Sequence, residues 1–454
     1  MFDLVYSYQQ HLAQNIDGDF AESVLPMDYI QTLWDSPLGA KAILEGERYH
    51  NPNRFFSHFS YYQWFDKVPK LFRQFCTPVD SIYQSAALFK ILVQIGLIVC
   101  IAGISSRSCS WRKNSFPIAV VLLFPLFQTN GYQGHIGVID RAITYVFFYA
   151  FPLLLLCLYV WPVLVSYLKR EAFEPSLFML VLVWPFSLII CLSGPLNPAV
   201  ILVLVLLIGL DYLRKGIWPW RIPKAVVLYL IPATLMSLYS LYLGQFNSAS
   251  LVEEISLLDL YSKLPSGFIK QFTQKLAFPM LFLVLIINYI LLRRQEEKGI
   301  RQNINIKATY NVIIIFSMMY ILLLPLGGYR NYRPYILRYD TIMPVTLALM
   351  FLYVYGSKRL LHSLRGYSRV FYSVFLFLIL CAFTFSDQLE ADRNDCQKEL
   401  LNQLAKSEQE QLVLSGDCLV LSWEKVSEES DSEAICKTLH KLGLTREDLS
   451  FRQE

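Results

Sequence analysis

The sequence predicts an all-α integral membrane protein, a polytopic bundle of about ten transmembrane helices. Hydrophobic residues make up 55% of the 454 residues and charged residues only 17%. The mean hydropathy of +0.40 is too high for an ordinary soluble domain of this length. Apolar stretches of about 20 residues, the length of helix that crosses a bilayer, recur from residue 86 to residue 386.

Ten apolar stretches are candidate spans, and several contain prolines, which transmembrane helices tolerate better than soluble ones. The second and ninth are shorter than the others. They cover residues 86–105, 115–128, 142–165, 175–193, 197–213, 224–244, 275–292, 308–326, 341–356 and 369–386.

The Lys and Arg residues concentrate in alternate loops, which indicates the orientation of the bundle. Cytoplasmic loops of membrane proteins carry an excess of Lys and Arg. We therefore expect these loops in the cytoplasm and both termini on the outer side of the membrane. The basic loops are 106–114, 166–174, 214–224, 293–307 and 357–369.

The chain divides into three parts on this topology. Residues 1–85 form an outer-face segment with an acidic motif and aromatic-rich interfacial helices, and residues 86–386 form the bundle. Residues 387–454 form a small acidic α+β tail with 16 acidic and 8 basic residues. Its predicted elements are helices at 397–411 and 432–444 and a strand at 418–425.

The cysteines of the C-terminal tail and the first residues of the chain give further information about the segments predicted on the outer face. Cys396, Cys418 and Cys436 are an odd number in an oxidising compartment, which predicts one disulfide and a spare thiol with the pairing left open. The opening MFDLVYSYQQHLAQ has no signal-peptide pattern. We expect a further helix upstream of Met1 in the natural polypeptide or its ancestor.

The stretch NIDGDFAES at 15–23 gathers three carboxylates in a largely apolar chain. Gly18 allows a tight turn that aims Asp17 and Asp19 at one site, and Glu22 lies one helical turn beyond. Such carboxylates can remove a proton from an acceptor or share a divalent cation, Mg²⁺ or Mn²⁺. The alternative is a solvated turn in which Asp19 caps a helix and Glu22 completes a capping box.

Two further outer loops carry candidate residues. NGYQGHIGVIDRAITY (130–145) places His135, Asp140 and Arg141 at the mouth of the third span, where charges are costly unless paired or used. The loop at 327–344 is unusually basic for the outer side, with Arg330, Arg333 and Arg338 among tyrosines such as Tyr339. Arginine pairs bidentately with phosphate. Interface anchoring of Asp140 and Arg141, and headgroup binding by the arginines, are the structural alternatives.

These motifs resemble those of the GT-C class of polytopic glycosyltransferases, such as protein O-mannosyltransferases and the lipid A aminoarabinose transferase. The matching residues are Asp17 and Asp19 in DGD, followed by interfacial helices, and Arg338 in RYDTIMP before a late span. The chain is also similar to uncharacterised large membrane proteins of Bacteroidetes-type bacteria. This resemblance implies an integral protein of the bacterial inner membrane with both termini on the periplasmic side.

The resemblance implies a hexosyltransferase that moves a sugar from a polyprenyl-phosphate donor to a lipid, glycan or protein acceptor on the outer face. It implies catalysis by Asp17, Asp19 and Asp140, with Asp17 and Asp19 as the ligands of any metal. It implies donor-phosphate binding by Arg338. The other expected substrate-binding residues are Glu22, His135, Arg141, Arg330, Arg333 and Tyr339.

Other function classes find less support. Nucleotide-binding, GxSxG and HExxH motifs do not occur, and topology explains the basic loops without nucleic acid. A transporter or flippase would place charges inside its spans, whereas these spans are almost free of them. An O-antigen ligase or polymerase, or a non-catalytic membrane subunit, stays open as an alternative. Acidic residues in the loop 245–274, including Asp259, fit the solvated face of an amphipathic helix.

Overall fold

A computed structural model describes most of the chain, and it is mostly helical. The described residues are 2–25, 28–112, 114–127, 136–218, 221–248, 255–273, 277–297, 306–327, 335–387 and 393–454. Among them are twenty α-helices and one small sheet.

Five helices precede the bundle: α1 (Phe2–Leu12), α2 (Phe20–Val24), α3 (Asp28–Asp35), α4 (Ala40–Glu45) and α5 (Phe55–Phe72). Helices α3 to α5 fall in the segment predicted to hold interfacial helices. Aromatic side chains join them, since the Trp34 ring lies 5.8 Å from that of Phe55 and 5.2 Å from that of Tyr62. The acidic motif lies between α1 and α2.

Seven described helices are long and apolar enough to cross a membrane. They are Pro78–Ser106 (α6), Ile143–Lys169 (α8, a π-helical turn and α9), Leu196–Arg214 (α11), Lys224–Gly244 (α12), Ala277–Glu297 (α15), Lys307–Gly327 (α16 and a 3₁₀ turn) and Gly366–Phe385 (α18). The segment Ile143–Lys169 consists of α8 (Ile143–Tyr145), the π-helical turn (Val146–Ala150) and α9 (Phe151–Lys169). The helix α16 covers Ile306–Leu323.

Three more helices occupy the other predicted stretches. Two are shorter apolar helices, α7 (Ser115–Leu123, continued by a 3₁₀ turn to Phe127) and α10 (Leu177–Cys191). The third, α17 (Met343–Ser363), is buried along most of its length. Each predicted apolar stretch therefore coincides with a helix, and an apolar helical bundle is confirmed.

The helix α17 is held in the bundle by buried polar side chains. Asn288 on α15 donates to the Ser357 hydroxyl on α17 (2.9 Å) and accepts from the Tyr372 hydroxyl on α18 (2.6 Å). The backbone approaches closely at Gly356, where an added Cβ would lie 3.2 Å from the Asn288 amide nitrogen. Small residues and side-chain hydrogen bonds of this kind replace the hydrophobic effect as the attraction between membrane helices.

The described residues of the five basic loops meet at one end of the bundle, which we call the basic end. Contacts between residues of different loops show this. Lys358 donates to the Ser106 hydroxyl, and Arg107 donates to the Leu168 carbonyl. Ser363 donates to the Gln295 side chain, and the Lys215 ammonium group lies over the Tyr167 ring. Both termini lie at the other end, where the Tyr6 hydroxyl donates to the Asp387 carbonyl (3.3 Å).

The C-terminal unit, residues 393–454, contains α19 (Asp395–Lys406), α20 (Glu433–Lys441) and two strands. The strands β1 (Gln411–Leu414) and β2 (Ser450–Gln453) pair in parallel. The predicted strand at 418–425 is therefore wrong, since that segment is an irregular loop. A disulfide joins Cys396 to Cys418, and Cys436 is a buried free thiol, so the prediction of one disulfide and a spare thiol is confirmed.

Two helices between α12 and α15, α13 (Leu257–Ser262) and α14 (Leu264–Thr273), complete the fold. Asp259 is exposed and its backbone N–H bonds to the Ser256 hydroxyl (3.2 Å) at the start of α13. The exposed position of Asp259 is the solvated one expected of it, and the Ser256 side chain is the cap of α13.

Candidate functional site

Asp17 is buried against the start of α8. Its Oδ2 accepts a hydrogen bond from the Thr144 N–H (3.1 Å), and its Oδ1 accepts from the Thr144 hydroxyl (2.7 Å) and from the Asp19 N–H (3.2 Å). Burial raises the pKa of Asp17 and the Asp19 charge raises it further, while the Thr144 bonds and Lys90 oppose the shift. Asp17 thus fixes the acidic motif to the loop that carries Asp140.

Asp140 lies four residues before Thr144 and is 3% exposed. Its Oδ1 accepts the Ala142 N–H (2.7 Å), and Oδ2 is buried with no hydrogen-bond partner of normal geometry among the described residues. Burial raises its pKa to about 6, although Tyr339, the Ala142 N–H and Lys90 act in the opposite direction. A carboxyl with this pKa can exchange a proton near neutral pH.

Lys90 connects the two carboxylates electrostatically. It lies on α6, is 2% exposed, and donates to the Gln14 side chain (2.6 Å) and to the Arg141 carbonyl. The charge of its ammonium group acts on both Asp17 and Asp140. A cation at this position partly compensates two buried carboxyls that would otherwise carry a large desolvation cost.

Arg338 and Asp340 approach the same group of residues from the loop before α17. The Arg338 Nε and Nη2 each donate to one Asp340 oxygen at 3.0 Å, in the bidentate geometry that arginine forms with carboxylates. Asp340 is 1% exposed, whereas about a quarter (26%) of the Arg338 side chain is exposed. The charge of Asp340 also acts on Asp140, and Tyr339 between them interacts with Asp140 directly.

Asp19 has a different partner, because the C-terminal unit packs over the acidic motif. The Trp423 indole N–H donates to Asp19 Oδ1 (2.7 Å). A Cβ on Gly18 would lie 2.5 Å from the Trp423 backbone nitrogen, so only glycine fits there. The side chain of Asp19 makes no cap for α2, contrary to the capping alternative.

A further hydrogen-bond set ties the C-terminal unit to the segment before the motif. Gln397 accepts from the Ile16 N–H (2.8 Å) and the Tyr83 hydroxyl (2.7 Å), and donates to the Ile16 carbonyl (3.0 Å). The disulfide at Cys396 adjoins this residue and restrains it. The motif is therefore enclosed between the bundle and the C-terminal unit.

The Asp17–Asp19 pair fits a shared divalent cation poorly. Hard cations need several free oxygen ligands, but both Asp17 oxygens accept hydrogen bonds from Thr144 and Asp19 Oδ1 accepts one from Trp423. Within the part of the chain that the structure describes, no cluster of three or more His, Cys, Asp or Glu side chains is arranged as a metal site.

The remaining predicted residues divide into two groups. Arg141 contributes its carbonyl to Lys90, and Glu22 is half-buried on α2 beside the motif. His135, Arg330 and Arg333 lie outside the described residues.

Three residues of the site were not predicted: Lys90, Thr144 and Asp340. A signal existed for Lys90, because it is a single cation inside the apolar run AALFKILVQIG, and ionisable residues within spans are functional candidates by default. The expectation that the spans are almost free of buried charge missed it. Thr144 and Asp340 carry no sequence signal that marks them as residues of a site.

Asp17, Lys90, Asp140, Tyr339, Asp340 and Arg338 thus form one connected group, which we call the acidic cluster. It lies at the end of the bundle opposite the basic end and contains a buried carboxyl able to exchange a proton near pH 6 and a partly exposed guanidinium. Comparison with protein-family models, with curated proteins and with solved structures finds no match for this chain.

Proposed function

We propose that the protein is a membrane glycosyltransferase of the GT-C kind, which transfers a sugar from a polyprenyl-phosphate donor to an acceptor at the periplasmic face of the bacterial inner membrane. The observation that carries this proposal is the meeting of Asp17, Asp140 and Arg338 in the acidic cluster. These residues come from three segments more than 100 residues apart. Each carries a charged side chain whose chemistry suits one step of glycosyl transfer.

Asp140 is the base in this mechanism. The acceptor hydroxyl attacks the anomeric carbon, the bond from that carbon to the donor phosphate oxygen breaks, and polyprenyl phosphate leaves with the bonding electrons. Asp140 Oδ2 takes the acceptor proton, since Oδ1 is occupied by the Ala142 N–H. Its raised pKa of about 6 suits a carboxyl that accepts and then releases a proton.

Asp17 and Asp19 hold the site together in this proposal and do not activate the acceptor. Both oxygens of Asp17 are committed to Thr144, and Asp19 bonds to Trp423. Their role is to position the loop that carries Asp140.

Arg338 binds the donor phosphate, and Asp340 orients it. The bidentate pair fixes the plane of the guanidinium, and its exposed part can face an anion. Charge developing on the leaving phosphate is then stabilised by a preorganised cation. Arg330 and Arg333 are additional phosphate ligands in this proposal.

The proposed topology has ten spans, with the basic end in the cytoplasm and both termini in the periplasm. Two observations support it. The described residues of the five basic loops share one end of the bundle, which agrees with the excess of Lys and Arg in cytoplasmic loops. The Cys396–Cys418 disulfide lies at the other end, and disulfides persist in the oxidising periplasm.

The test compares Asp140→Asn with wild type in cells that carry this chain as their sole copy, reading the outer-envelope glycans and the level of folded protein. Asp259→Asn, an exposed change of the same type, is the matched control. We expect Asp140→Asn to abolish a glycan product that Asp259→Asn retains. Unchanged glycans in Asp140→Asn would remove the basis of the proposal.

Secondary transport is the second candidate, because Lys90 is a buried cation within a membrane-spanning helix and transporters place charges there. Proteoliposomes distinguish the two functions. A transferase consumes the donor in one compartment, whereas a transporter moves it intact across the bilayer.

A further inference from the structure

A second group of charged residues, unrelated to the acidic cluster, lies at the basic end of the bundle. Lys358 on α17 reaches the C-terminal end of α6, where its ammonium group donates to the Ser106 hydroxyl (2.7 Å). Arg107 and Arg359 lie within electrostatic range of Lys358. Arg170 joins them, since it acts with both arginines on the neighbouring Tyr355. We call Lys358, Arg107, Arg170 and Arg359 the basic cluster.

Lys358 is only 6% exposed, and its surroundings do not balance its charge. Among the described residues, no carboxylate lies at ion-pair distance from its ammonium group, and the nearest charged groups are arginines. A buried charge is costly unless it is paired. The preference for basic residues in cytoplasmic loops explains exposed lysines but gives no reason to bury one beside two arginines.

The arginines of the basic cluster are more exposed than the buried lysine. Arg107 and Arg170 are exposed, and the Arg107 guanidinium donates to the Leu168 carbonyl (3.4 Å). The Arg359 guanidinium lies over the Tyr355 ring, 4.8 Å from its centre. Two carboxylates lie nearby: Glu296 acts on Arg359, within the basic cluster, and Glu171 lies 3.7 Å from Lys169. Neither forms an ion pair with Lys358 among the described residues.

We propose that the basic cluster binds a phosphate group at the cytoplasmic end of the bundle, with Lys358 as the buried counter-charge and Arg107 and Arg170 at the entrance. Phosphate supplies several strong acceptor oxygens for one ammonium and two guanidinium groups. Basic sites between membrane helices on the cytoplasmic side are suited to anionic lipid headgroups.

The residues around the basic cluster favour a phospholipid as the source of this phosphate. Ile104, Leu168 and Tyr355 form a small apolar cluster with Trp161 and Phe351 packed against it. Ile104, Leu168 and Tyr355 are buried, so the partly buried Trp161 and Phe351 are the side chains that can contact the glycerol and first methylenes of a lipid. A free phosphate would use the cations alone.

The test measures the thermal unfolding midpoint of the detergent-solubilised full chain during titration with phosphatidylglycerol, phosphatidylcholine or inorganic phosphate. The variants are Lys358→Met, Arg107→Gln, and Lys224→Met as the control, because Lys224 is exposed and starts α12 at the same end of the bundle. We expect phosphatidylglycerol to raise the midpoint of wild type and Lys224→Met far more than phosphatidylcholine does. The apparent affinity of Lys358→Met should fall roughly tenfold or more, because a charge-assisted hydrogen bond is lost.

The unliganded Lys358→Met protein should unfold at no lower temperature than wild type, since an unbalanced buried charge has been removed. An equal response to inorganic phosphate that is also lost in Lys358→Met would support the site with a soluble phosphate as its ligand. The absence of an anion-dependent rise in wild type, or the same rise in Lys358→Met as in Lys224→Met, would overturn the proposal. If Lys358→Met does not fold, Arg107→Gln takes its place, because Arg107 is exposed. The proposal predicts a weaker rise of the midpoint with phosphatidylglycerol for Arg107→Gln than for wild type, and an unchanged rise would overturn it.

Discussion

Replacement of Asp140 by Asn should make the protein more stable at neutral pH while it impairs function. Asparagine keeps the shape of the side chain, and its Oδ1 can still accept the Ala142 N–H (2.7 Å in the native chain). What it removes is the ionised carboxyl in a site that is 3% exposed. The variant therefore mimics the protonated form of Asp140 at every pH.

The size of the effect follows from the shift of the Asp140 pKa from 3.8 to about 6. Because the folded pKa is higher than the unfolded one, the folded state binds more protons between about pH 4 and about pH 6. The free energy of unfolding therefore falls as the pH rises through this window. At about 1.4 kcal/mol per pKa unit, the wild type loses about 3 kcal/mol that Asp140→Asn keeps.

The assay is unfolding of the purified protein in detergent between pH 4 and pH 8, with Asp259→Asn as the control for an exposed Asp-to-Asn change. The difference between Asp140→Asn and wild type should be near zero at pH 4 and should reach its full size above about pH 6. Parallel curves for the two proteins, or an Asp140→Asn variant less stable than wild type at pH 7.5, would refute this account of the site.

Three further changes test the surroundings of the acidic cluster. Lys90→Met should raise the pKa of Asp140 further, because the positive charge of Lys90 lowers this pKa in the wild type. The inflection of the plot of stability against pH should then move to higher pH. An unmoved inflection would contradict the electrostatic effect of Lys90 on Asp140. Gly18→Ala should displace the segment at Trp423, whose backbone nitrogen would lie 2.5 Å from the new Cβ, and should lower the free energy of unfolding by about 1–3 kcal/mol. Limited proteolysis should then release the C-terminal unit. A variant as resistant to the protease as wild type would count against the packing of this unit on the acidic motif. Cys418→Ser opens a loop with a sequence separation of 22 and should lower stability by about 3 kcal/mol relative to the oxidised wild type. A variant as stable as the oxidised wild type would argue against the disulfide.

Much of the bundle could be predicted because the length and apolar composition of a segment are enough to identify a membrane helix. The segment Lys224–Gly244, for example, matches its predicted range, since bilayer thickness fixes the length of an apolar helix. The C-terminal strands were not predicted. Gln411–Leu414 pairs with Ser450–Gln453 across 39 positions, and short apolar runs such as 418–425 look equally strand-like in sequence.

Part of the site could also be predicted from composition, because charged residues are rare in this apolar chain. Asp17, Asp140 and Arg338 stand out because carboxylates and arginines are unusual at those places in an apolar chain. Their partners do not stand out. Trp423 reaches Asp19 across 404 positions, and this contact depends on how the C-terminal unit packs, which no local pattern encodes.

The central claim is that Asp140 serves as the base in glycosyl transfer from a polyprenyl-phosphate donor. The most direct measurement is release of polyprenyl phosphate from a radiolabelled polyprenyl-phosphate sugar by proteoliposomes containing wild type, Asp140→Asn or Asp259→Asn. We predict donor cleavage by wild type and Asp259→Asn, with a loss of roughly 10²-fold or more in Asp140→Asn, as expected for removal of a general base. Equal cleavage by Asp140→Asn and Asp259→Asn would contradict the claim.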